Sequence, residues 1–134
     1  MEIVEFEKSY RFNIYQDGIT VHATLLFGDK TQRFLVKVDT GSTYCIFERG
    51  RGESLGIDIE TGIPVMIGTA TGSFRAFGHE LTLTVMEIET VSTVYFAESD
   101  EFDRNVLGRI GWLDRLKLGL IEPEGKLYLS LYKK

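Results

Sequence analysis

Apolar residues recur at every second position over much of this chain, and this alternation constrains the fold more than any other feature. Residues 81–85 read Leu-Thr-Leu-Thr-Val, and residues 127–132 read Leu-Tyr-Leu-Ser-Leu-Tyr. A period of two places alternate side chains on opposite faces of a strand, so one face can be buried. Fourteen glycines and two prolines suit frequent turns between short strands. The sequence therefore predicts an all-β domain.

Three local patterns refine this prediction. Residues 10–28 read as two strands around Asp17-Gly18, a dipeptide typical of a tight hairpin. Residues 110–119 contain leucines at helical spacing and end in glycine, which predicts one short amphipathic helix near the C-terminus. Residues 120–134 read as a further hairpin, and the polar residues 48–62 read as loop with at most a short strand or helical turn.

Length and composition predict one soluble domain spanning residues 1–134, with no linker inside it. The net charge of -5 argues against a nucleic-acid partner, because phosphate binding needs a basic face. No apolar run approaches the roughly 18 residues of a membrane span, and the acidic N-terminus does not read as a signal peptide. Two histidines and one cysteine do not favour a metal site, and we expect no cofactor.

The lone cysteine, Cys45, excludes an internal disulfide, so we expect a reducing, cytoplasmic compartment. Neither His22 nor His79 lies in a setting typical of a cysteine hydrolase. We therefore interpret Cys45 as a small buried core residue rather than as a nucleophile.

Asp39 is the residue that most suggests chemistry. It ends the apolar run of residues 34–38 and opens the turn Thr40-Gly41-Ser42. A carboxylate at the end of a buried strand is costly unless it is hydrogen-bonded or has a chemical role. Taken alone, the four residues are a weak signal, since turns favour these residue types.

Two more motifs follow Asp39 along the chain. Strand-like residues flank a centre of small residues at 68–72, which predicts the tip of a flexible hairpin. Further along, two apolar residues and a glycine, Val106-Leu107-Gly108, lead into the predicted helix.

In this order, the three motifs resemble those of the retropepsins, the single-lobe aspartic proteases of retroviruses and their cellular relatives. That family shows a strand ending in Asp-Thr/Ser-Gly, a glycine-rich flap hairpin, and an apolar pair with glycine that packs under the active-site loop. Residues 64–68, Pro-Val-Met-Ile-Gly, are similar to the Pro-x-Met-Ile-Gly of some viral members. The resemblance covers roughly residues 10–132.

The resemblance implies a closed, barrel-like acid-protease lobe that forms a two-fold homodimer, because each chain supplies one catalytic aspartate. It implies that the Thr40 side chain hydrogen-bonds across the two active-site loops, that the Gly41 amide supports the carboxylate, and that Ser42 hydrogen-bonds the outer carboxylate oxygen. The expected site residues fall into three groups: catalytic Asp39, Thr40 and Gly41; flap residues Gly68, Thr69 and Ala70; and supporting residues Ser42, Val106, Leu107 and Gly108.

The sequence also departs from the family pattern. Viral members often carry acidic residues where this chain has Thr43 and Tyr44, so Arg109 lacks its expected acidic partner. The hairpin at residues 120–134 is an addition relative to compact viral enzymes.

Two functions remain open on the sequence. The first is an aspartic endopeptidase, a homodimer whose paired Asp39 residues activate a water to hydrolyse extended peptide or protein substrates. The alternative is a catalytically silent dimer that keeps the fold to bind peptides or to act as a scaffold. The intact Asp-Thr-Gly triplet favours the first.

Overall fold

The computed structural model describes residues 1–133 and contains ten strands and one α-helix in that range. The strands are β1 Lys8–Arg11, β2 Thr20–Phe27, β3 Lys30–Val38, β4 Ile46–Phe47, β5 Ile63–Thr69, β6 Gly72–Val85, β7 Ile88–Ala97, β8 Val106–Leu107, β9 Leu116–Ile121 and β10 Lys126–Leu131. The helix α1 is Arg49–Ser54. The mostly β composition predicted from the alternating pattern is confirmed.

The strands form two sheets. A three-stranded sheet has the order β1-β10-β9, and a seven-stranded sheet has the order β2-β3-β8-β4-β7-β6-β5. Strand β2 also pairs with β6, so the pairings return on themselves and form a ring of strands. Aromatic residues fill the space inside, where Phe34 and Phe47 pack edge to face with ring centroids 5.6 Å apart. The same core cluster includes Leu127 and Leu129 from β10, so one core joins the two sheets.

The hairpin predicted around Asp17-Gly18 is wrong. Strand β1 pairs with β10, whereas β2 pairs with β3, so the two strands flanking this dipeptide belong to different sheets. The tight turn lies instead at Gly28-Asp29, where Phe27 and Lys30 are paired and Gly28 has a φ of 62°. Positive φ angles are typical of the favoured two-residue hairpin turns, and glycine adopts them at no steric cost.

The helix predicted near the C-terminus is also wrong. Residues 110–119 contain only a 3-10 turn at Leu113–Arg115, after which the chain becomes strand β9. Leu116, Leu118 and Leu120 also alternate, and β10 offers this segment a full set of backbone partners. Gly119 does not end a helix. It lies opposite Tyr128 in mid-strand, where an added Cβ would come 2.8 Å from the Phe6 ring.

The one α-helix falls in residues 48–62, the stretch predicted to be mostly loop. Arg49 ties this region together, because its guanidinium donates to both carboxylate oxygens of Glu60 at 2.5 and 2.6 Å and to the carbonyl of Glu98 at 3.0 Å. A hairpin is present near the C-terminus as predicted, but its first strand, β9, begins at Leu116 rather than at residue 120. No helix within residues 1–133 is long and apolar enough to cross a membrane. The expected cytoplasmic location stays a prediction.

Candidate active site

The loop that follows β3 presents the carboxylate of Asp39 to solvent. Asp39, Thr40 and Gly41 are all exposed. The backbone N–H of Gly41 donates to Asp39 Oδ1 at 3.0 Å, and the N–H of Ser42 donates to the Asp39 carbonyl at 3.1 Å. One carboxylate oxygen is therefore held by the loop's own backbone, as expected for the Gly41 amide, while the other has room for a ligand.

Strand β8 supports this loop from below. It lies between β3 and β4, the strands before and after the loop, and its residues Val106 and Leu107 are buried. The N–H of Asp39 donates to the Leu107 carbonyl at 2.9 Å. Beyond β8, the N–H of Arg109 donates to the Ser42 carbonyl at 2.9 Å. These bonds connect the start of the loop to β8 and its later part to the residue that follows Gly108, and they fix the loop's shape.

Gly108 is required where it stands because the loop backbone passes directly over it. A Cβ at this position would lie 2.3 Å from the Tyr44 carbonyl oxygen and 2.6 Å from that of Ser42. Such distances are far inside van der Waals contact, so only a residue without a Cβ allows this approach.

Cys45 packs beneath the point where the loop backbone passes over Gly108. Its side chain is fully buried, and its sulfur accepts the Gly108 N–H at 3.4 Å. Burial raises the pKa of the Cys45 thiol to about 11, which keeps it protonated at neutral pH. Its interpretation as a core residue is confirmed, and a thiolate nucleophile is disfavoured.

The expected contact between Ser42 and the Asp39 carboxylate is wrong within this chain. The Ser42 hydroxyl donates to the Tyr44 carbonyl at 2.7 Å, and Ser42 is half-buried. A hydroxyl has one proton to donate, and the carbonyl two residues ahead takes it. Ser42 therefore stabilises the turn from which Tyr44 projects.

The predicted hairpin is confirmed as β5 and β6, and its flexibility stays a prediction. Its strands pair up to Thr69 and Gly72, so Ala70-Thr71 forms the two-residue tip. Gly68, Thr69 and Ala70 are exposed, as contacts to an incoming ligand would require. Their role as flap residues stays a prediction.

An open cavity of about 410 Å³ lies beside the Asp39 loop. Its lining comprises Thr40, Thr43, Arg109, Ile110, Leu113 and Asp114. Within residues 1–133, the Arg109 side chain makes neither an ion pair nor a hydrogen bond, and Thr40 makes no side-chain hydrogen bond. The Asp114 carboxylate lies near a different arginine: its Oδ1 is 4.0 Å from Arg115 Nε and accepts the Gly111 N–H at 3.1 Å.

The chain contains the sequence Asp-Thr-Gly once, so it supplies one carboxylate in this setting. No group of three or more His, Cys, Asp or Glu residues in the described part of the chain is arranged to hold a metal ion. Chemistry that needs two such carboxylates requires a second copy of the loop.

Sequence patterns missed two aromatic contacts, one beside the active-site loop and one on the β5–β6 hairpin. Tyr95 on β7 contacts Tyr44, with ring centroids 4.7 Å apart, and Phe102 packs on Phe74 of β6 at 4.9 Å. Both contacts join residues far apart in sequence, so periodicity does not reveal them. The one available signal is Gly78, a glycine in the middle of a long strand, which indicates close approach by a neighbour.

Comparison with known proteins supports the fold. No protein-family model and no curated protein match this sequence. Among solved structures, the chain is similar to the EIAV protease, a retroviral protease solved in complex with the inhibitor HBY-793. The TM-score is 0.55 and the sequences are 18% identical, over 71% of this chain and 85% of that chain. At this identity the likeness shows a retropepsin-like fold and nothing finer.

Proposed function

We propose that this chain is one subunit of an aspartic endopeptidase that acts as a two-fold homodimer. The observation that carries the proposal is the Asp39 loop. It presents an exposed carboxylate with one oxygen held by the Gly41 N–H at 3.0 Å, on a retropepsin-like fold. A two-fold axis beside this loop brings two copies of Asp39 together and completes the site.

The chemistry follows from placing two carboxylates around one water. Carboxylates held this close do not both ionise readily, so the pair shares one proton. The ionised Asp39 removes a proton from the water, whose oxygen then attacks the peptide carbonyl carbon. The protonated Asp39 of the other subunit hydrogen-bonds the carbonyl oxygen and stabilises the charge that develops there. When the C–N bond breaks, the leaving nitrogen takes a proton from the pair.

The remaining site residues hold and cover this pair. Thr40 is exposed beside Asp39 and has no partner for its hydroxyl within residues 1–133, which leaves it available to the facing loop of the second subunit. Gly68, Thr69 and Ala70 sit at the tip of the hairpin, where their backbone can pair with an extended substrate as an added strand. Val106, Leu107 and Gly108 keep the loop in place from beneath.

A digest of an unbiased peptide library tests the proposal. The wild-type protein and the Asp39→Asn variant are incubated with the library from about pH 4 to pH 7, and the products are read by mass spectrometry. We expect cuts that depend on Asp39 and that vanish in the variant, because asparagine preserves the shape and removes the base. Asp29→Asn, a change in an exposed hairpin turn, is the matched control and should retain full activity.

The alternative function gives a different result in the same experiment. A catalytically silent dimer would bind library peptides and yield no cuts that depend on Asp39. That outcome, from protein shown to be folded and dimeric, would refute the proposed endopeptidase activity.

A further inference from the structure

We propose that Arg109 and Thr43 form a binding site for the carboxylate of an acidic side chain, aspartate or glutamate, in an extended peptide substrate. The inference rests on the proposed function, because it names a side chain that the same cleft accepts. It follows from a departure in this chain, which has Thr43 and Tyr44 at the positions where an acidic partner for Arg109 is expected.

The cavity beside the Asp39 loop is the place where this carboxylate binds. Its lining begins at Thr40, the residue next to Asp39, and continues to Thr43 and Arg109. A volume of about 410 Å³ accommodates about two to three residues of an extended chain, which advances roughly 3.3 Å per residue. A substrate that reaches Asp39 therefore passes this cavity close to the bond that is cleaved.

The backbone of Arg109 is held on both sides. Its N–H donates to the Ser42 carbonyl at 2.9 Å, and its carbonyl accepts the Asp114 N–H at 2.8 Å. The next residue, Ile110, donates its N–H to the Thr43 carbonyl at 2.8 Å. The point from which the guanidinium projects is therefore fixed relative to Thr43 and to the Asp39 loop.

The side chains of Arg109 and Thr43 carry hydrogen-bond donors without partners. In the part of the chain that the structure describes, neither the guanidinium nor the Thr43 hydroxyl makes a hydrogen bond, and Arg109 makes no ion pair. Both residues are exposed. A guanidinium presents its N–H donors in a planar fork that matches the two oxygens of a carboxylate, and the hydroxyl adds one more donor.

Arg49 shows what this fork does when a carboxylate is within reach. Its guanidinium donates to both oxygens of Glu60, at 2.5 and 2.6 Å. Such bidentate pairs are among the strong hydrogen bonds of proteins. Within residues 1–133 no carboxylate occupies the corresponding position at Arg109. An aspartate or glutamate of the substrate supplies it.

The rest of the lining suits the stem of such a side chain. Ile110, which is 48% exposed, and the half-buried Leu113 add apolar surface beside the charge. Methylene groups pack on this surface while the carboxylate stays at the guanidinium. Partial exclusion of water by these residues also strengthens the charged hydrogen bonds.

Asp114 is the acidic member of the six lining residues, and it sets a limit on the preference. Its Oδ1 accepts the Gly111 N–H at 3.1 Å and lies 4.0 Å from Arg115 Nε, so its own turn already engages it. Its charge still opposes a second carboxylate in the same cavity. Removing that charge should therefore strengthen the preference for acidic side chains, whereas it would weaken a preference for basic ones.

Peptide capture tests this site without depending on cleavage. The Asp39→Asn protein is incubated at low salt and about pH 6, where aspartate and glutamate are ionised, with C-terminally amidated peptides randomised at eight central positions. The bound peptides are then sequenced. We expect glutamate and aspartate to be enriched about fivefold over glutamine and asparagine at one position, the effect of one partly exposed ion pair. Raising the salt to about 0.5 M should reduce this enrichment, because exposed charges are screened.

Variants at Arg109 assign the preference to its charge. Arg109→Gln should abolish the acidic enrichment, and Arg109→Lys should retain part of it, since lysine keeps the charge without the fork. Arg109→Glu should reverse the preference in favour of lysine. Asp114→Asn, which can still accept the Gly111 N–H, should increase the acidic enrichment. Arg104→Gln, a change at an exposed arginine outside this lining, is the matched control and should leave it unchanged.

Three results would overturn the inference. The first is acidic enrichment that persists in Arg109→Gln, or no position that favours acidic side chains. The second is capture that depends on Arg109 only for peptides with a free C-terminal carboxylate, which would assign the site to a chain terminus. The third is an Arg109→Gln variant with an unchanged capture preference and a weaker dimer in sedimentation, which would place the guanidinium against the second subunit.

The proposed function fails separately. If the wild type made no cuts that depend on Asp39, the endopeptidase activity would be refuted. A capture preference that disappears with the Arg109 charge would still assign a carboxylate site beside the Asp39 loop.

Discussion

Replacing Gly108 by alanine should destabilise the protein severely, because this residue lies where the chain crosses under the Asp39 loop. The new Cβ would be 2.3 Å from the Tyr44 carbonyl oxygen and 2.6 Å from the Ser42 carbonyl oxygen. Both oxygens belong to the backbone, so neither can rotate away as a side-chain atom could. The two segments must separate by about 1 Å to restore an ordinary carbon–oxygen contact.

The loss of stability can be estimated from the backbone hydrogen bonds that join these two segments. The Arg109 N–H donates to Ser42 at 2.9 Å and the Ile110 N–H donates to Thr43 at 2.8 Å. A separation of about 1 Å takes both beyond hydrogen-bonding range. Overpacking costs about 1–3 kcal/mol, and each backbone group left unsatisfied costs a similar amount. We expect the free energy of unfolding to fall by about 3–5 kcal/mol, a large part of a typical total of about 5–15 kcal/mol.

Urea and thermal denaturation followed by circular dichroism measure this loss. The protein concentration is kept fixed, because self-association alters apparent stability. For a chain of this size, the expected fall in Tm is about 10–20 °C. Gly50→Ala is the matched control, since nothing lies within 4 Å of a Cβ there. It lies in α1, where alanine should be neutral or stabilising by up to about 1 kcal/mol. A Gly108→Ala variant whose free energy of unfolding lies within about 0.5 kcal/mol of the wild-type value would refute the close approach of the loop backbone to residue 108.

Two further predictions concern pH and charge. The pKa of Cys45 is raised from 9.0 to about 11 by burial, so the unfolded chain loses this proton at lower pH than the folded chain. The free energy of unfolding should therefore fall by about 2 kcal/mol more in wild type than in Cys45→Ala between about pH 9 and pH 11, and an equal fall in both proteins would contradict the assignment. The hydrogen bonds from Arg49 lower the pKa of Glu60, so this carboxylate stabilises the fold above its ordinary pKa and loses that contribution as the pH falls. Thermal melts should show Glu60→Gln less stable than wild type at pH 7 and nearly equal to it at pH 3, whereas a constant difference would show that the ion pair is not responsible.

Local sequence patterns predicted those parts of the fold that are set by neighbours in the chain. The hairpin of β5 and β6 follows from alternating residues around a centre of small ones, and both strands are adjacent in sequence. The turn that ends β3 follows from Asp39 and Gly41 for the same reason. Val106, Leu107 and Gly108 were recognised by their order along the chain, and the structure places them directly under the loop.

Predictions failed where distant segments decide the outcome. Leu113, Leu116 and Leu120 fit a helix, yet Leu116, Leu118 and Leu120 fit a strand equally well. Intrinsic propensity does not distinguish the helix from the strand here, and pairing with β10 decides for the strand. Likewise, nothing near Asp17-Gly18 reveals that β1 pairs with a strand more than a hundred residues away.

The candidate site likewise contains residues that the local sequence predicts and contacts that it does not. Residues on the Asp39 loop are contiguous, and the sequence alone indicates them as candidates; their catalytic role stays a prediction. The Tyr95 ring reaches Tyr44 only because β4 and β7 are paired in parallel, a register that no local pattern encodes. The sequence predicted the wrong acceptor for the Ser42 hydroxyl. Several oxygens lie close to a serine side chain in a turn, and which one accepts its proton depends on distances that only the structure gives.

The central claim is that two copies of Asp39 form one active site, and a mixing experiment tests it most directly. Wild-type and Asp39→Asn chains are unfolded together in equal amounts and refolded, and the cleavage rate of a library-derived peptide is measured at fixed total protein. Random pairing gives about one quarter wild-type dimers, so the rate should fall to about one quarter of the all-wild-type value if both aspartates are needed. Refolding with Asp29→Asn chains should leave the rate unchanged. A rate near one half in the Asp39→Asn mixture would mean that each Asp39 works alone, and would contradict the shared site.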